Sequence, residues 1–384
     1  MGALGAHFLI LKGEFPMASD RSANIRRIVN RRCAALGIPS TGSFELTPRC
    51  NLRCKMCYVR LTPAQMAPLG RELTAKEWID LGRAARDMGM MFLLLTGGEP
   101  TLRTDFAEIY EGLMKLGLSI SVNTNGTLIT PEIRELWHRL PPAMVNVTLY
   151  GTCREDYENL CGDPNAFDRV VEGLHWLKSE GILVHLNTTI APDNLHHWMQ
   201  MEEFAKGMGL ELRMTVYCFP PVRRSECGSC ADFQRLTPEE SARLSVNDML
   251  YREGLEYVKF RAANLTSPPQ EECEWEMGEF ISCLAGRAQF WLGWNGRMTP
   301  CGMLPEPATY PVKEGFASAW KALHEMTTQI RLCPDCTTCA EKQTCMNCAA
   351  VVYTETGSFD GKPEYMCRLN REYRRYLKEV AEKS

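Results

Sequence analysis

Residues 43–57 read SFELTPRCNLRCKMC. Positions 43–47 predict a short strand, and a loop follows that carries Cys50, Cys54 and Cys57 at x3 and x2 spacing. Three thiolates on one short loop can hold three irons of a [4Fe–4S] cube and leave the fourth iron without a protein ligand. The spacing differs from the Cys-x2-Cys of zinc knuckles. Working outward, strand and helix signals alternate. Helices are predicted over 74–88, with Thr74 as N-cap and Glu77 at the capping-box position, then over 104–116, 131–140, 167–180 and 196–208. Strands are predicted over 91–96, 119–123, 145–149, 182–190 and 211–217. Such alternation implies parallel βαβ units, with ligands at the C-terminal strand ends. Those ends are polar and glycine-rich: Thr96–Glu99, Thr124–Gly126 and Thr148–Gly151.

The chain has 384 residues, 45% hydrophobic and 23% charged. This excludes a disordered or collagen-like chain. With 43 Lys+Arg against 47 Asp+Glu the net charge is -4, so no basic excess points to nucleic acid. The longest apolar stretches, such as 88–95, are too short to span a bilayer. The Phe8–Leu11 run lacks a positive region before it and a cleavage site after it, and a cytoplasmic location is expected. Eighteen cysteines in a reducing compartment, where disulfides are rare, suggest metal. Nine of them lie between Cys273 and Cys367.

The Cys-x3-Cys-x2-Cys loop after a first strand, followed by Gly97-Gly98-Glu99-Pro100 after a second, resembles the radical S-adenosylmethionine (SAM) superfamily. The resemblance implies an α/β fold, a partial (β/α)6 TIM-like barrel over residues 43–217; residues 1–42 read as a basic lead-in with a helix around Asn24–Leu36. It implies that SAM chelates the open iron at Cys50/Cys54/Cys57. Reductive cleavage then gives a 5′-deoxyadenosyl radical that abstracts a substrate hydrogen. By the same resemblance Gly97, Gly98, Glu99 and Pro100 bind the methionine part of SAM. Gly97 and Gly98 would allow close backbone approach, and Glu99 would accept from the amino group. Asn125 and Thr148 are expected to contact ribose and carboxylate. Family members often carry Ser-Leu-Asp-Gly where this chain has Thr148-Leu149-Tyr150-Gly151. They often place an arginine where this chain reads Leu160-Cys161-Gly162.

Residues 218–267 read as a linker with a helix starting at Thr237, and residues 268–384 as a Cys-rich domain closed by a charged helix. The pattern Cys283-x17-Cys301, Cys336-x2-Cys339-x5-Cys345-x2-Cys348-x18-Cys367 resembles the SPASM extension of radical SAM enzymes, which binds two auxiliary [4Fe–4S] clusters. It differs by one residue between Cys345 and Cys348. Cys-x2-Cys pairs also suit zinc. By resemblance, Cys336, Cys339, Cys345 and Cys367 hold an outer cluster, and Cys283, Cys301 and Cys348 an inner one. Cys273 is the first candidate for the inner cluster's fourth ligand, and Cys333 the spare. Cys161 and Cys218 are candidate catalytic thiols, although a buried apolar cysteine is the commoner fate. The Cys227/Cys230 pair is a further metal site or a plain loop pair.

SPASM-type enzymes mainly modify peptides, by thioether or carbon–carbon crosslinking or by epimerisation. The expected function is therefore maturation of a ribosomally made peptide. The alternative is a small-molecule enzyme, a dehydrogenase or a tetrapyrrole side-chain decarboxylase. Formylglycine-forming relatives place Asp where this chain has Gly302, which argues against that activity. The short stretch before the first strand suggests that a leader-recognition protein, if used, is separate. An electron donor of flavodoxin or ferredoxin type and an anaerobic setting are also implied.

Overall fold

The computed structural model describes residues 21–221, 233–265, 280–281, 283–345 and 347–383. The Phe8–Leu11 run, Cys227, Cys230 and Cys273 lie outside the described residues. One eight-stranded sheet organises the chain, in the order β6-β5-β4-β3-β2-β1-β7-β8. Its strands are β1 (Thr41–Glu45), β2 (Phe92–Thr96), β3 (Ser119–Thr124), β4 (Met144–Thr148), β5 (Val184–Thr189), β6 (Leu212–Thr215), β7 (Gln289–Leu292) and β8 (Met298–Thr299). All neighbours pair in parallel except β7 and β8. The expected partial barrel is present as β1–β6.

The register explains which face is which. Strand side chains alternate between faces. Phe44, Leu93, Leu95, Ile120, Val122, Val145, Val147 and Leu186 are buried in the main apolar core. Phe44 meets Trp78 of the covering helix α2 (Ala75–Asp87) at 5.0 Å between ring centroids. Most of the intervening positions are polar, among them Ser43, Glu45, Ser121, Asn123, Asn146, His185, Asn187 and Arg213, with Phe92, Leu94 and Met144 as exceptions. The barrel therefore has a greasy outside under its helices and a polar lumen. Helix α2 begins as the capping box predicts, with the Thr74 side chain accepting from the Glu77 N–H.

Two features were not foreseen. Residues 154–161 form a helix, α3 (Arg154–Cys161), ended by Gly162 at φ 73°. Its eight residues lie between the strand over 145–149 and the helix over 167–180, where no element is assigned from the sequence. Strand β7, from the Cys-rich segment, pairs with β1 from Thr41↔Gln289 to Phe44↔Leu292. Its Trp291 Nε1 donates to Glu45 at 2.9 Å. The Cys-rich region thus extends the barrel sheet. Arg235 and Glu355 tie the linker to that region, Nη1 to Oε1 at 2.6 Å, and Arg235 stacks 4.0 Å over the Tyr365 ring. Among the described residues no helix is long and apolar enough to cross a membrane.

Candidate active site

Cys50, Cys54 and Cys57 sit on the loop leaving β1, at the C-terminal edge of the sheet. They line a pocket together with Thr96, Gly97, Gly98, Asn123, Thr124, Asn125, Thr148, Tyr150 and Trp291. The turn after β2 packs against the cysteine loop, backbone to backbone. Gly98 N–H donates to Thr47 O at 2.7 Å and Glu99 N–H to Arg49 O at 2.9 Å. A Cβ on Gly97 would lie 2.4 Å from Thr47 O, and one on Gly98 2.3 Å from Arg49 O. The close approach that requires these glycines is therefore first to the cysteine loop itself.

Glu99 is fully buried. It accepts from Thr101 Oγ1 at 2.6 Å, from Thr124 Oγ1 at 2.9 Å and from the Asn125 N–H at 2.7 Å. It clips the end of β2 to the end of β3. Burial pushes its carboxyl above the usual carboxylate range, and among the described residues no cation pairs with it. Asn125 turns toward the cysteine loop: its Nδ2 donates to Asn51 Oδ1 at 2.9 Å and reaches Cys50 Sγ at 3.6 Å. Thr148 is half-buried and borders the pocket.

Burial, with the charge of Glu99, pushes the Cys50 thiol up to about 12. Cys54 is held below its ordinary value, chiefly by a hydrogen bond from Cys161. Cys161 closes α3 and lies buried under the loop. Cys218 is also buried, its thiol toward Ile190 O at 3.8 Å, and burial pushes it up to about 12. Neither thiol lines the pocket.

Arg103 was not singled out from the sequence, yet it fastens the site. Its buried guanidinium donates to Leu46 O at 2.8 Å, to Leu73 O at 2.9 Å and to Asp105 at 2.7 and 2.8 Å. Arg103→Met strands two main-chain carbonyls and one carboxylate, a loss of about 3–5 kcal/mol. A thermal unfolding midpoint unchanged from wild type would contradict this.

In the Cys-rich region the thiols fall into two groups. Burial, helped by Cys283 and Cys301, pushes Cys348 up to about 12. Burial, with Cys367 and Cys339, does the same to Cys345. Cys336 belongs to the second group, where Cys333 hydrogen-bonds it. Cys333 thus lies with the outer set, away from its expected place as a spare for the inner one. Tyr58, next to Cys57, packs in the same apolar cluster as Cys301 and Cys348, so the inner group borders the first cysteine loop. Among the described residues no three His, Cys, Asp or Glu side chains converge on a single-ion site.

Residues 44–205 match the model of the Radical SAM superfamily. That stretch matches a radical SAM domain, the mark of a class defined by a [4Fe–4S] cluster and SAM. The residues present fit those groups: three clustered thiols, a glycine turn held on their loop, and a buried carboxylate that lacks a cation. The chain is 27% identical over 338 residues to the AdoMet-dependent heme synthase of Methanosarcina barkeri, covering 85% of this chain and 95% of that protein. In fold it is similar to Streptococcus suis SuiB bound to precursor peptide SuiA, with TM-score 0.65, 16% identity, and 96% and 86% of the two chains covered. It is similar to anSMEcpe with bound AdoMet at TM-score 0.63 and 16% identity, over 89% and 99% of the chains.

Proposed function

We propose that the chain removes a hydrogen atom from a carboxylate-bearing substrate of the haem-precursor class, held in the barrel lumen. The observation that carries this reading is Arg213. It is half-buried, pairs in register with Asn187, which pairs with the pocket residue Thr148, and its Nη2 lies 3.2 Å from His185 Nε2. Buried Arg213 Nε and His185 Nδ1 make no hydrogen bond. A guanidinium with an unused N–H, two strands from the pocket residue Thr148, suits a carboxylate. The whole-length similarity to a heme synthase supports the same reading.

Cys50, Cys54 and Cys57 would hold the catalytic cluster, and Gly97, Gly98, Glu99, Pro100 and Thr148 would cradle SAM. When bound, these groups supply a carbon radical that takes the hydrogen. Arg213, His185 and Asn187 fix the carboxylate, and the apolar shell of the barrel keeps bulk water from the lumen. Cys336, Cys339, Cys345 and Cys367 would bind one auxiliary [4Fe–4S] cluster. Cys283, Cys301 and Cys348, with Cys273, would bind the other. A flavodoxin- or ferredoxin-type donor would deliver the electron.

The peptide reading has its own support in the likeness to peptide-bound SuiB, and a separate leader-recognition protein would then be a partner. One experiment separates the two. The reconstituted, reduced enzyme is given SAM with either an iron porphyrin bearing propionates or a cysteine-containing peptide. Products are read by mass. Loss of carbon dioxide from a porphyrin propionate, leaving a vinyl group, is expected; the SAM-derived radical would take the hydrogen atom and an auxiliary cluster the remaining electron. A crosslinked or epimerised peptide with an unchanged porphyrin would overturn the reading. Arg213→Gln should raise the KM for the porphyrin roughly 10- to 100-fold, the worth of a charge-assisted hydrogen bond, with iron content unchanged.

A further inference from the structure

We infer that a second cavity, between the segment following Cys57 and the β7–β8 hairpin, seats a flat aromatic molecule bearing several carboxylates, with one arm of that molecule passed beside Trp291 into the inner pocket. This deepens the proposed function by placing the bulk of the same substrate, and it rests on that reading for the arm that reacts.

The inner pocket, bordered by Cys50, Thr148 and Tyr150, comes to about 100 Å³, and SAM would have to share it. The second cavity holds about 580 Å³, inside the range of about 300–1,000 Å³ common for sites that take sizeable organic ligands. Val59 and Trp291 line both spaces, so the two share a wall. Trp291 is pinned there. Its Nε1 donates to Glu45 at 2.9 Å, and a Cβ on Gly302 would come 2.8 Å from its ring.

The cavity is braced by polar contacts and lined by apolar groups. Leu73 N–H donates to Trp294 O at 2.9 Å, and Asn295 Nδ2 to Leu69 O at 2.9 Å, which fastens the segment to the hairpin. Gly293 N–H donates to Arg297 O at 2.8 Å and closes the hairpin turn. Leu61, Leu73, Trp294 and Leu304 are buried in the lining, while Leu69, Tyr310 and Val312 stay 36%, 41% and 44% exposed. Three exposed apolar side chains around one opening mark a surface that a hydrophobic ligand covers.

The charges on the lining have one sign. Arg71, Arg297 and Lys313 face the cavity, and no Asp or Glu does. Arg71 is committed to Glu77, at 2.8 and 2.7 Å. Among the described residues Arg297 and Lys313 have no carboxylate partner; Lys313 Nζ lies 5.5 Å from the centre of the Tyr310 ring. Two uncommitted cations beside an apolar bed match an amphipathic anion whose carboxylates stand off a flat ring. With Arg213 on β6 and Arg297 on the hairpin before β8, the cations sit toward opposite edges of the sheet, which favours a ligand with more than one carboxylate.

The test titrates the reconstituted full-length enzyme with a metal-free porphyrin bearing two propionates, and with its dimethyl ester, by absorbance. The metal-free ring removes axial ligation by cysteine. Arg297→Gln should raise the Kd of the diacid about tenfold, the worth of a charge-assisted hydrogen bond, and the exposed Lys313→Gln about threefold. Arg86→Gln, on α2 and paired with Asp87, should bind as wild type. The ester should bind all four proteins alike. A wild type that does not bind the diacid, or equal diacid affinity in wild type, Arg297→Gln and Lys313→Gln, would overturn the inference. So would a cysteine-containing peptide whose binding weakens in Arg297→Gln while the porphyrin's does not. Turnover of the iron porphyrin is read in parallel. Arg297-dependent binding without decarboxylation ends the proposed function and leaves the cavity, whereas decarboxylation with an unchanged KM in both variants ends the cavity and leaves the reaction.

Discussion

Replacing Cys50, Cys54 and Cys57 together with alanine removes about 4 of about 12 irons per chain, one cube of three, and abolishes 5′-deoxyadenosine formation. The loop does not need the thiols to hold its path. Its main chain is fixed by Gly98 and Glu99 on one side, by α3 on the other, and by Asn51 Nδ2 donating to Thr127 Oγ1 at 2.8 Å. The variant should therefore fold, keep the irons of the Cys-rich region, and lose only the chemistry. Iron and sulfide analysis after anaerobic reconstitution reads the first part, and chromatography of the reduced reaction the second. A wild-type count near 4 irons with bound zinc would mean that the Cys-rich region is a zinc structure, and the auxiliary clusters would be abandoned.

Gly98→Ala should cost the same cluster without touching a cysteine. The new methyl carbon would lie 2.3 Å from Arg49 O and 2.7 Å from Arg49 C. Both are backbone atoms, so no side chain can swing away. The loop must move as a unit, and the bonds from Gly98 N–H and Glu99 N–H go with it. The expected result is a fall of about 4 irons, with a stability loss of about 3 kcal/mol seen as a lower unfolding midpoint. Gly207→Ala is the control: nothing lies within 4 Å of the added carbon, and a helical alanine should leave iron and stability intact or slightly improved. Full iron content in Gly98→Ala would show that the turn does not brace the loop.

Features written locally in the chain were the legible ones. The cysteine spacing, the glycine turn and the Thr74 cap each depend on neighbours a few residues away, and the structure shows all three where the pattern puts them. The strand over 43–47 lies at Thr41–Glu45. Arg213, His185 and Asn187 could not be found that way. Each is an ordinary polar residue in a strand, and only the pairing of β4, β5 and β6 lines them up with Thr148. Arg103 acts through carbonyls at Leu46 and Leu73. Cys333 sits three residues before Cys336, so spacing suggested a spare ligand, yet its thiol meets Cys336 itself.

Strand β1 lies between β2 and β7. A barrel cut off before residue 280 would leave β1 as a bare edge, with main-chain donors and acceptors from Thr41 to Phe44 facing solvent and Glu45 stripped of its indole. Uncovered edges invite pairing with other chains. The strand left sticky in this way is the one from which the Cys50 loop springs. Swapping this Cys-rich region for a relative's would succeed only if the graft also supplied a strand to close that seam.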